Sequence, residues 1–354
     1  MRVLLVLWLV MFVSVRSVGQ PPAPAVLSEL ELKYFMRFGE REARPKAPDV
    51  VRIATYNLEN LFDDVDDPAL TGRFEDAEMA TPPERLVELA KAIRMVDADI
   101  LAVQEIENLE VLTWFRDTYL EGLGYDHIAS IDAGDARGIE QSVLSRFPIV
   151  HVQNWVKEPL GGVHPEKWGR SDNWYAGQPI TFHRSPLRVD VRVPAGARGN
   201  DAPYALTLFV VHQKSGREGD YWREAEARGL VKILEELAAK EPERNILILG
   251  DFNAERDARS VQMYFAAGYT DLFEGVPSSS RIMSHESDRR IDMILFNKAI
   301  RPELVLESRF VLGTPARLRE MSWRDPPPPG YASDHYPVVV DLRPVEGGGA
   351  PTAK

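Results

Sequence analysis

The segment Ile246-Leu247-Ile248-Leu249-Gly250-Asp251-Phe252-Asn253 joins an apolar, β-branched run to a turn that carries a carboxylate and an amide. Its length and composition favour a strand that ends where polar chemistry begins. The same grammar recurs along the chain. Val50–Tyr56, Ile100–Val103, Ser142–Leu144, Leu187–Val193, Ala205–Val211, Ile291–Phe296 and Val338–Leu342 are short runs of similar texture, and all read as strands. Helical patterns lie between several of them. Thr81-Pro82-Pro83-Glu84 opens one whose Leu86, Leu89, Ala90 and Ile93 follow the helical period. A longer one, Asp220 to Lys240, sets Ala227, Leu230, Val231, Leu234 and Leu237 on one face. Mixed strands and helices without a break in composition predict a single α/β domain over residues 50–343.

The flanks differ from this core. Met1-Arg2 precedes an apolar run from Val3 to Val13, and Ser17-Val18-Gly19 offers small residues at a cleavage site. That order predicts a signal peptide over residues 1–19 and an exported protein, periplasmic or extracellular. The run is too short for the roughly 20 residues of a spanning helix. Residues 20–49 read as a linker with a short helix, and the Gly-rich residues 344–354 as a disordered tail. The 354 residues carry 42 Lys and Arg against 54 Asp and Glu, a net charge of −12, with no Cys. Disulfides and Cys-ligated metals are therefore excluded, and tight nonspecific nucleic-acid binding is disfavoured.

Polar residues with catalytic chemistry cluster at strand ends. Asn57 follows the first strand, Glu105 the second, His212 the Ala205 strand, and Asp251 and Asn253 the Ile246 strand. Asp292 lies in the Ile291 strand, and Ser333-Asp334-His335 precedes the last. Side chains at the same ends of core strands converge on one rigid site. Glu105, Asp251, Asp292 and Asp334, with Asn57 and Asn253, are hard oxygen donors suited to Mg²⁺, Mn²⁺ or Ca²⁺. His212 and His335 add a potential base and acid.

These strings together resemble the signatures of the endonuclease/exonuclease/phosphatase (DNase I-like) superfamily. They are Thr55-Tyr56-Asn57-Leu58-Glu59-Asn60, Gln104-Glu105-Ile106, Gly250-Asp251-Phe252-Asn253, Arg290-Ile291-Asp292 and Ser333-Asp334-His335-Tyr336-Pro337-Val338. The resemblance implies a four-layer α/β sandwich, two mixed sheets face to face with helices outside. It implies Glu105, Asn57, Asp334 and Asp251 around the metal, with Asp251 and Asn253 orienting the scissile phosphate. His335, oriented by Asp292, resembles the histidine that handles the attacking water. His212 resembles the second histidine of the DNase-like and sphingomyelinase-like members, with Glu140 the glutamate paired to it. Arg137 is a candidate phosphate contact.

The expected activity is Mg²⁺-dependent hydrolysis of a phosphodiester by in-line water attack, nuclease-like first. Cleavage of sphingomyelin or another phospholipid head group, a phosphoinositide phosphatase, and a binding protein that has lost its chemistry are the alternatives. Arg137, Arg170, Arg184, Lys214, Arg217 and Arg223 could line a nucleic-acid cleft, and the aromatic-rich stretch 155–186 could face a base, a sugar or a lipid. No stable partner is evident, and a monomer is expected. The acidic run Asp63 to Asp67 reads as a solvated loop, and His127, His151 and His285 as surface or packing residues.

Overall fold

In a computed structural model, residues 28, 35–68, 70, 79–322 and 324–346 are described. The expected signal peptide and most of the expected tail lie outside them. Along the chain run β1 (Val51–Leu61), α1 (Pro83–Val96), β2 (Ile100–Ile106), α2 (Leu109–Tyr119), β3 (His127–Ser130), β4 (Glu140–Ser145) and β5 (Ile149–Gln153). Four short strands follow: β6 (Pro159–Val163), β7 (Lys167–Trp168), β8 (Ser171–Asp172) and β9 (Pro179–Thr181). Next come β10 (Leu187–Val193), β11 (Tyr204–His212), α3 (Asp220–Lys240), β12 (Ile246–Asp251) and α4 (Arg259–Ala266). The domain closes with β13 (Thr270–Asp271), β14 (Asp292–Phe296), β15 (Leu304–Val311) and β16 (Val338–Leu342).

Two six-stranded mixed sheets result, ordered β15-β16-β1-β2-β4-β3 and β13-β14-β12-β11-β10-β5. Alternation along each strand assigns the layers. Val51 and Ile53 of β1 face Leu206, Leu208, Val210, Leu247 and Leu249 of the other sheet across a shared core. The intervening Ala54 and Tyr56 turn outward onto Leu86, Leu89 and Ile93 of α1 and Phe115 of α2. Phe209, Val211 and Ile248 likewise turn outward onto Leu230 and Leu234 of α3 and Val261 and Tyr264 of α4. The expected four layers, helix–sheet–sheet–helix, are present. All eight expected strands form, and α1 and α3 form where the periodicity placed them. Among the described residues, no helix is long and apolar enough to cross a membrane.

Residues 35–49 are not a free linker. Phe38 enters the inter-sheet core and packs 5.6 Å from Tyr336, and Lys46 reaches Asp99 at 2.9 Å. Glu40 bridges to Leu312, which needs close backbone approach. Gly39 permits it: its φ is +67°, and a Cβ there would lie 2.4 Å from the nitrogen of Gly313. The sequence conceals this anchoring because its apolar residues are interleaved with charges.

The stretch 155–186 forms two small ribbons, β6 with β9 and β7 with β8, instead of an irregular loop. The Tyr221 hydroxyl holds it to the start of α3, contacting His164 Nδ1 at 2.7 Å and accepting from Trp168 Nε1 at 3.0 Å and Asn173 Nδ2 at 3.1 Å. Trp222, Tyr175 and Ile180 pack beneath, while Trp174 stands 69% exposed. In the acidic run, Asp63 Oδ1 accepts from the Val65 amide at 2.7 Å, the geometry of a local turn.

Candidate active site

The parallel pairs β1–β2 and β11–β12 deliver their last residues to the same end of the sandwich. At that end β1 shifts register against β2 between Asn57 and Leu61, and β2 shifts against β4 between Gln104 and Ile106. Such bulges re-aim side chains beside active sites. Glu59 and Asn60 have φ near +52° and +57°, Glu105 +62° and Asn253 +49°. Left-handed backbone at non-glycine residues costs on the order of 1–3 kcal/mol and gathers at functional sites. Gly250 is compulsory, because its φ is +135° and a Cβ would lie 2.0 Å from the carbonyl oxygen of Val211.

Asp251 is the hub. Its Oδ1 accepts from the Asn253 amide at 2.7 Å, and its Oδ2 accepts from Asn253 Nδ2 at 2.9 Å and Asn57 Nδ2 at 3.4 Å. His212 Nε2 lies 3.5 Å from Asp251 Oδ2 on one side and also 3.5 Å from Glu105 Oε1. His335 Nε2 lies 3.9 Å from Asp251 Oδ2 on the other. Asp292 holds His335 at Nδ1, 2.9 Å from Oδ2 and 3.1 Å from Oδ1. Asp334 Oδ1 approaches His335 Nε2 at 3.8 Å, and Glu105 Oε2 accepts the Asn60 amide at 3.0 Å.

Glu140 is elsewhere. Its carboxylate accepts from the Ala133 amide and makes no pair with His212, whose Nδ1 is buried without a hydrogen-bond partner among the described residues. The Glu140 backbone belongs to β4, opposite Ile106, so its side chain serves the Ala133 turn. Arg137 does reach the site's edge: its guanidinium donates to Asn60 Oδ1. Arg184 and Arg223 are spent on structure. Arg184 donates to the carbonyls of His212 at 3.3 Å and Gln213 at 3.2 Å, and Arg223 to those of Lys214 and Gly216.

Electrostatics separates the two histidines. Burial opposes charge on both, but Asp292, Asp334 and Asp251 hold the His335 imidazole well above its ordinary value. His212 has burial reinforced by Arg184, His335 and Arg137, and falls well below. Burial pushes Asp251 up to about 7, with Asp292 and Glu105 adding to the rise against His335. Asp334 goes the other way: burial would raise it, but His335, His285 and Arg317 hold it low.

Four carboxylates thus meet with no Lys or Arg salt bridge to any of them among the described residues. Asp334 Oδ1 is buried with no hydrogen-bond partner among the described residues. This oxygen-rich donor set fits a hard divalent cation. Its ligands would come from Glu105, Asn57, Asp334 and Asp251. Asp251, Asp292 and His335 form a compact group whose donor atoms lie within 4.8 Å of one another, as do His285, Asp334 and His335.

Several neighbours carry no motif of their own. Ser284 Oγ accepts the amides of Ile291 at 3.1 Å and Asp292 at 2.9 Å, fixing the base's carboxylate partner. Glu59 accepts from Tyr331 Oη at 2.6 Å and from the Asp334 amide at 3.3 Å, and burial with Asp334 nearby raises it to about 7. Glu59 was visible inside the Asn57–Asn60 string. Ser284 and His285 offered no signal except proximity to Asp292.

The fold and site together are those of phosphoesterases. The Endonuclease/Exonuclease/phosphatase family profile matches residues 54–335, and the chain belongs to that family. Its members are phosphoester hydrolases that typically depend on a divalent metal. An endonuclease/exonuclease/phosphatase family protein from Bacteroides thetaiotaomicron superposes with a TM-score of 0.52 at 18% identity, covering 83% of this chain and 97% of that one. The mannosyl-6-phosphatase Bt3783 of the same organism gives 0.51 at 18% identity, over 82% and 99%. The catalytic domain of human Nocturnin, with bound sulfate, gives 0.51 at 16% identity, over 83% and 94%. No curated protein matches the sequence.

Proposed function

We propose that this chain is an exported, monomeric, divalent-cation-dependent phosphodiesterase that cleaves its substrate by in-line attack of water. The observation that carries the reading is the set His212, Asp251 and His335, two imidazole Nε2 atoms 3.5 and 3.9 Å from one carboxylate oxygen. A bound Mg²⁺, Mn²⁺ or Ca²⁺ supplies positive charge to the phosphate oxygens as their charge grows. Asp292 accepts the Nδ1 proton of His335, which directs Nε2 toward the water and toward Asp251. His335 takes the water's proton once the pull of its surrounding carboxylates is offset. His212, on the other side, faces the leaving oxygen. Asn253 donates its backbone amide and Nδ2 to Asp251 and so acts on the phosphate by fixing that carboxylate.

The supply of cations bears on substrate size. Arg184 and Arg223 are committed to backbone carbonyls and Lys214 to the Ser215 carbonyl, while Arg137 reaches the site's edge. A long polyanion needs many basic contacts along its path. The balance supports a small or short phosphodiester over a nucleic acid tracked along a groove. The kinship with a sugar phosphatase keeps a small phosphomonoester as the second reading.

The test is hydrolysis of bis-(p-nitrophenyl) phosphate, p-nitrophenyl phosphate and plasmid DNA with Mg²⁺, Mn²⁺ or Ca²⁺, then with EDTA. Diester cleavage lost on chelation and in His335→Ala is expected. Cleavage indifferent to both, or none with any cation, overturns the reading. Fractionation of expressing cells tests export, and scattering in solution tests the monomer.

A further inference from the structure

The hairpin between residues 284 and 292 carries a histidine that the reaction described above does not use. His285 lies beside the site, not among surface or packing residues as its sequence context suggested. Its backbone is tied to the catalytic segment on both flanks: the Glu286 amide donates to the Asp334 carbonyl at 2.8 Å, and the Tyr336 amide to the Ser284 carbonyl at 2.8 Å. Its ring stands edge-on to His335, centroids 4.5 Å apart and planes at 82°. Its Nε2 lies 3.4 Å from Asp334 Oδ2.

The other nitrogen fixes the tautomer. The Ser287 amide donates to His285 Nδ1 at 3.0 Å, so Nδ1 must present a lone pair. Ser287 Oγ, 2.7 Å from the same nitrogen, accepts from Arg289 Nε at 2.8 Å and keeps its own proton for Nδ1. A neutral imidazole with Nδ1 as acceptor carries its proton on Nε2, the atom that faces Asp334. The lone pair a metal would need therefore points away from the site. The donor atoms of His285, Asp334 and His335 are close enough to share an ion, but with Nδ1 occupied as an acceptor, His285 has its Nε2–H to offer the carboxylate 3.4 Å away.

We propose that His285 is a positioning residue. Its Nε2–H holds Asp334 by Oδ2, so that Oδ1, buried and without a hydrogen-bond partner, stays turned toward the cation and His335. The site then has two imidazole–carboxylate pairs working in opposite senses. Asp292 orients a histidine, and a histidine orients Asp334. Hydrogen bonds of this kind to ligating carboxylates commonly govern metal affinity or activity by about 10–100-fold. The proposal rests on the phosphodiesterase reading only for its kinetic arm.

The test compares His285→Gln, whose amide nitrogen can replace the Nε2–H donor, with His285→Phe, which keeps a ring edge against His335 but cannot donate. Mn²⁺ binding to each purified protein is measured by calorimetry, and phosphodiester hydrolysis is followed against Mg²⁺ concentration. The expected result is Mn²⁺ affinity about 10–100-fold weaker in His285→Phe. Half-saturation by Mg²⁺ should shift in parallel, KM at saturating Mg²⁺ should stay near wild type, and His285→Gln should recover most of the loss. Wild-type Mn²⁺ affinity in His285→Phe overturns the proposal. So does a His285→Gln protein that melts like wild type yet binds as weakly as His285→Phe, because that pattern marks a direct ligand. If wild type hydrolyses nothing, the functional reading falls and the Mn²⁺ titration still decides His285.

Discussion

The two ends of the sandwich treat carboxylates in opposite ways. At the end where β1, β2, β11 and β12 begin, the buried Asp99, Asp341 and Asp190 each meet a fixed cation. Asp99 Oδ1 takes Lys46 and Arg146, each at 2.9 Å, and Arg198 at 2.5 Å. Asp341 takes Arg52 through two bonds of 2.7 and 3.0 Å, and Asp190 takes Arg188 at 2.8 Å and Arg244 at 2.6 Å. At the end where those strands finish, Glu105, Asp251, Asp292 and Asp334 make ion pairs only with histidines among the described residues. One end is a closed account of charge. The other is left open, and an open cluster of acids is a place for a cation that arrives with the chemistry.

The closed end should be the more fragile in stability. Asp341→Ala leaves the Arg52 guanidinium, 2% exposed, buried without its carboxylate. Removing one partner of a buried pair costs about 3–5 kcal/mol, so urea unfolding should show a loss of that order. Hydrolysis per folded molecule should stay unchanged. A shift below 1 kcal/mol, on the order of a surface pair, would mean the two ends are not distinct in this way.

The open end should give the converse. His335→Ala and Asp251→Asn are each expected to lower turnover by about 10²–10³, the scale of removing one preorganised group at a reacting centre. Asp251→Asn should not lower the melting temperature of the metal-free protein, because it removes one of several crowded charges, whereas His335→Ala leaves Asp292 buried without its imidazole and should lower it. Assay of bis-(p-nitrophenyl) phosphate alongside melting curves checks both halves. A catalytic loss matched by an equal loss of folded protein would reduce these residues to structural ones.

This contrast also explains what was legible from sequence. The eight strands expected from apolar runs are the inner strands of the two sheets: β16, β1, β2, β4, β14, β12, β11 and β10. The strands without a clear signal, β3, β5, β13 and β15, are all edges. An edge strand is covered less completely, as Ile149–Gln153, with no fully buried residue, shows, so its sequence need not be apolar. The short helix α2 was missed although Asn108 caps it, its Oδ1 accepting from the Val111 amide at 2.8 Å. At the site, residues at the ends of inner strands were readable because a strand end is a fixed place. His285 and Ser284 were not, since a hairpin's hydrogen bonds decide where they point. Glu140 failed for the related reason that its neighbour at Ala133 captures the carboxylate.

If the open end is a cation site, the cation should stabilise the fold through it. Ligand at a hundred times its Kd adds about 2.7 kcal/mol to a protein that binds it only when folded. Mg²⁺ or Mn²⁺ should therefore raise the melting temperature of wild type. Glu105→Gln and Asp251→Asn should each remove most of that rise, and Asp99→Asn, at the closed end, should leave it intact. Equal shifts in all four proteins would place the binding somewhere else.

The finest test is the pH dependence of stability in EDTA, where the two ends should slope in opposite directions. At the closed end Arg188, Thr207 and Arg244 outweigh burial and hold Asp190 below its ordinary value, as Arg146 and Lys46 do for Asp97. Their contribution is present above the usual carboxylate range near pH 4 and is lost as pH falls through the lowered values. At the open end Asp251 is raised to about 7 by burial, with Asp292 and Glu105 adding to it, and burial raises Glu226 behind His212 to about 7. A raised carboxyl keeps its proton in the folded chain where the unfolded chain has already lost it. Its contribution is therefore complete below about pH 4 and is lost as pH climbs through about 7. Asp251→Asn deletes one such group, and each proton of difference is worth at most about 1.4 kcal/mol per pH unit. The variant should thus gain on wild type between about pH 4 and pH 7, read from urea unfolding at each pH. Parallel curves would show that Asp251 is already ionised without a metal, and that the open end balances its charge by some means other than a bound cation.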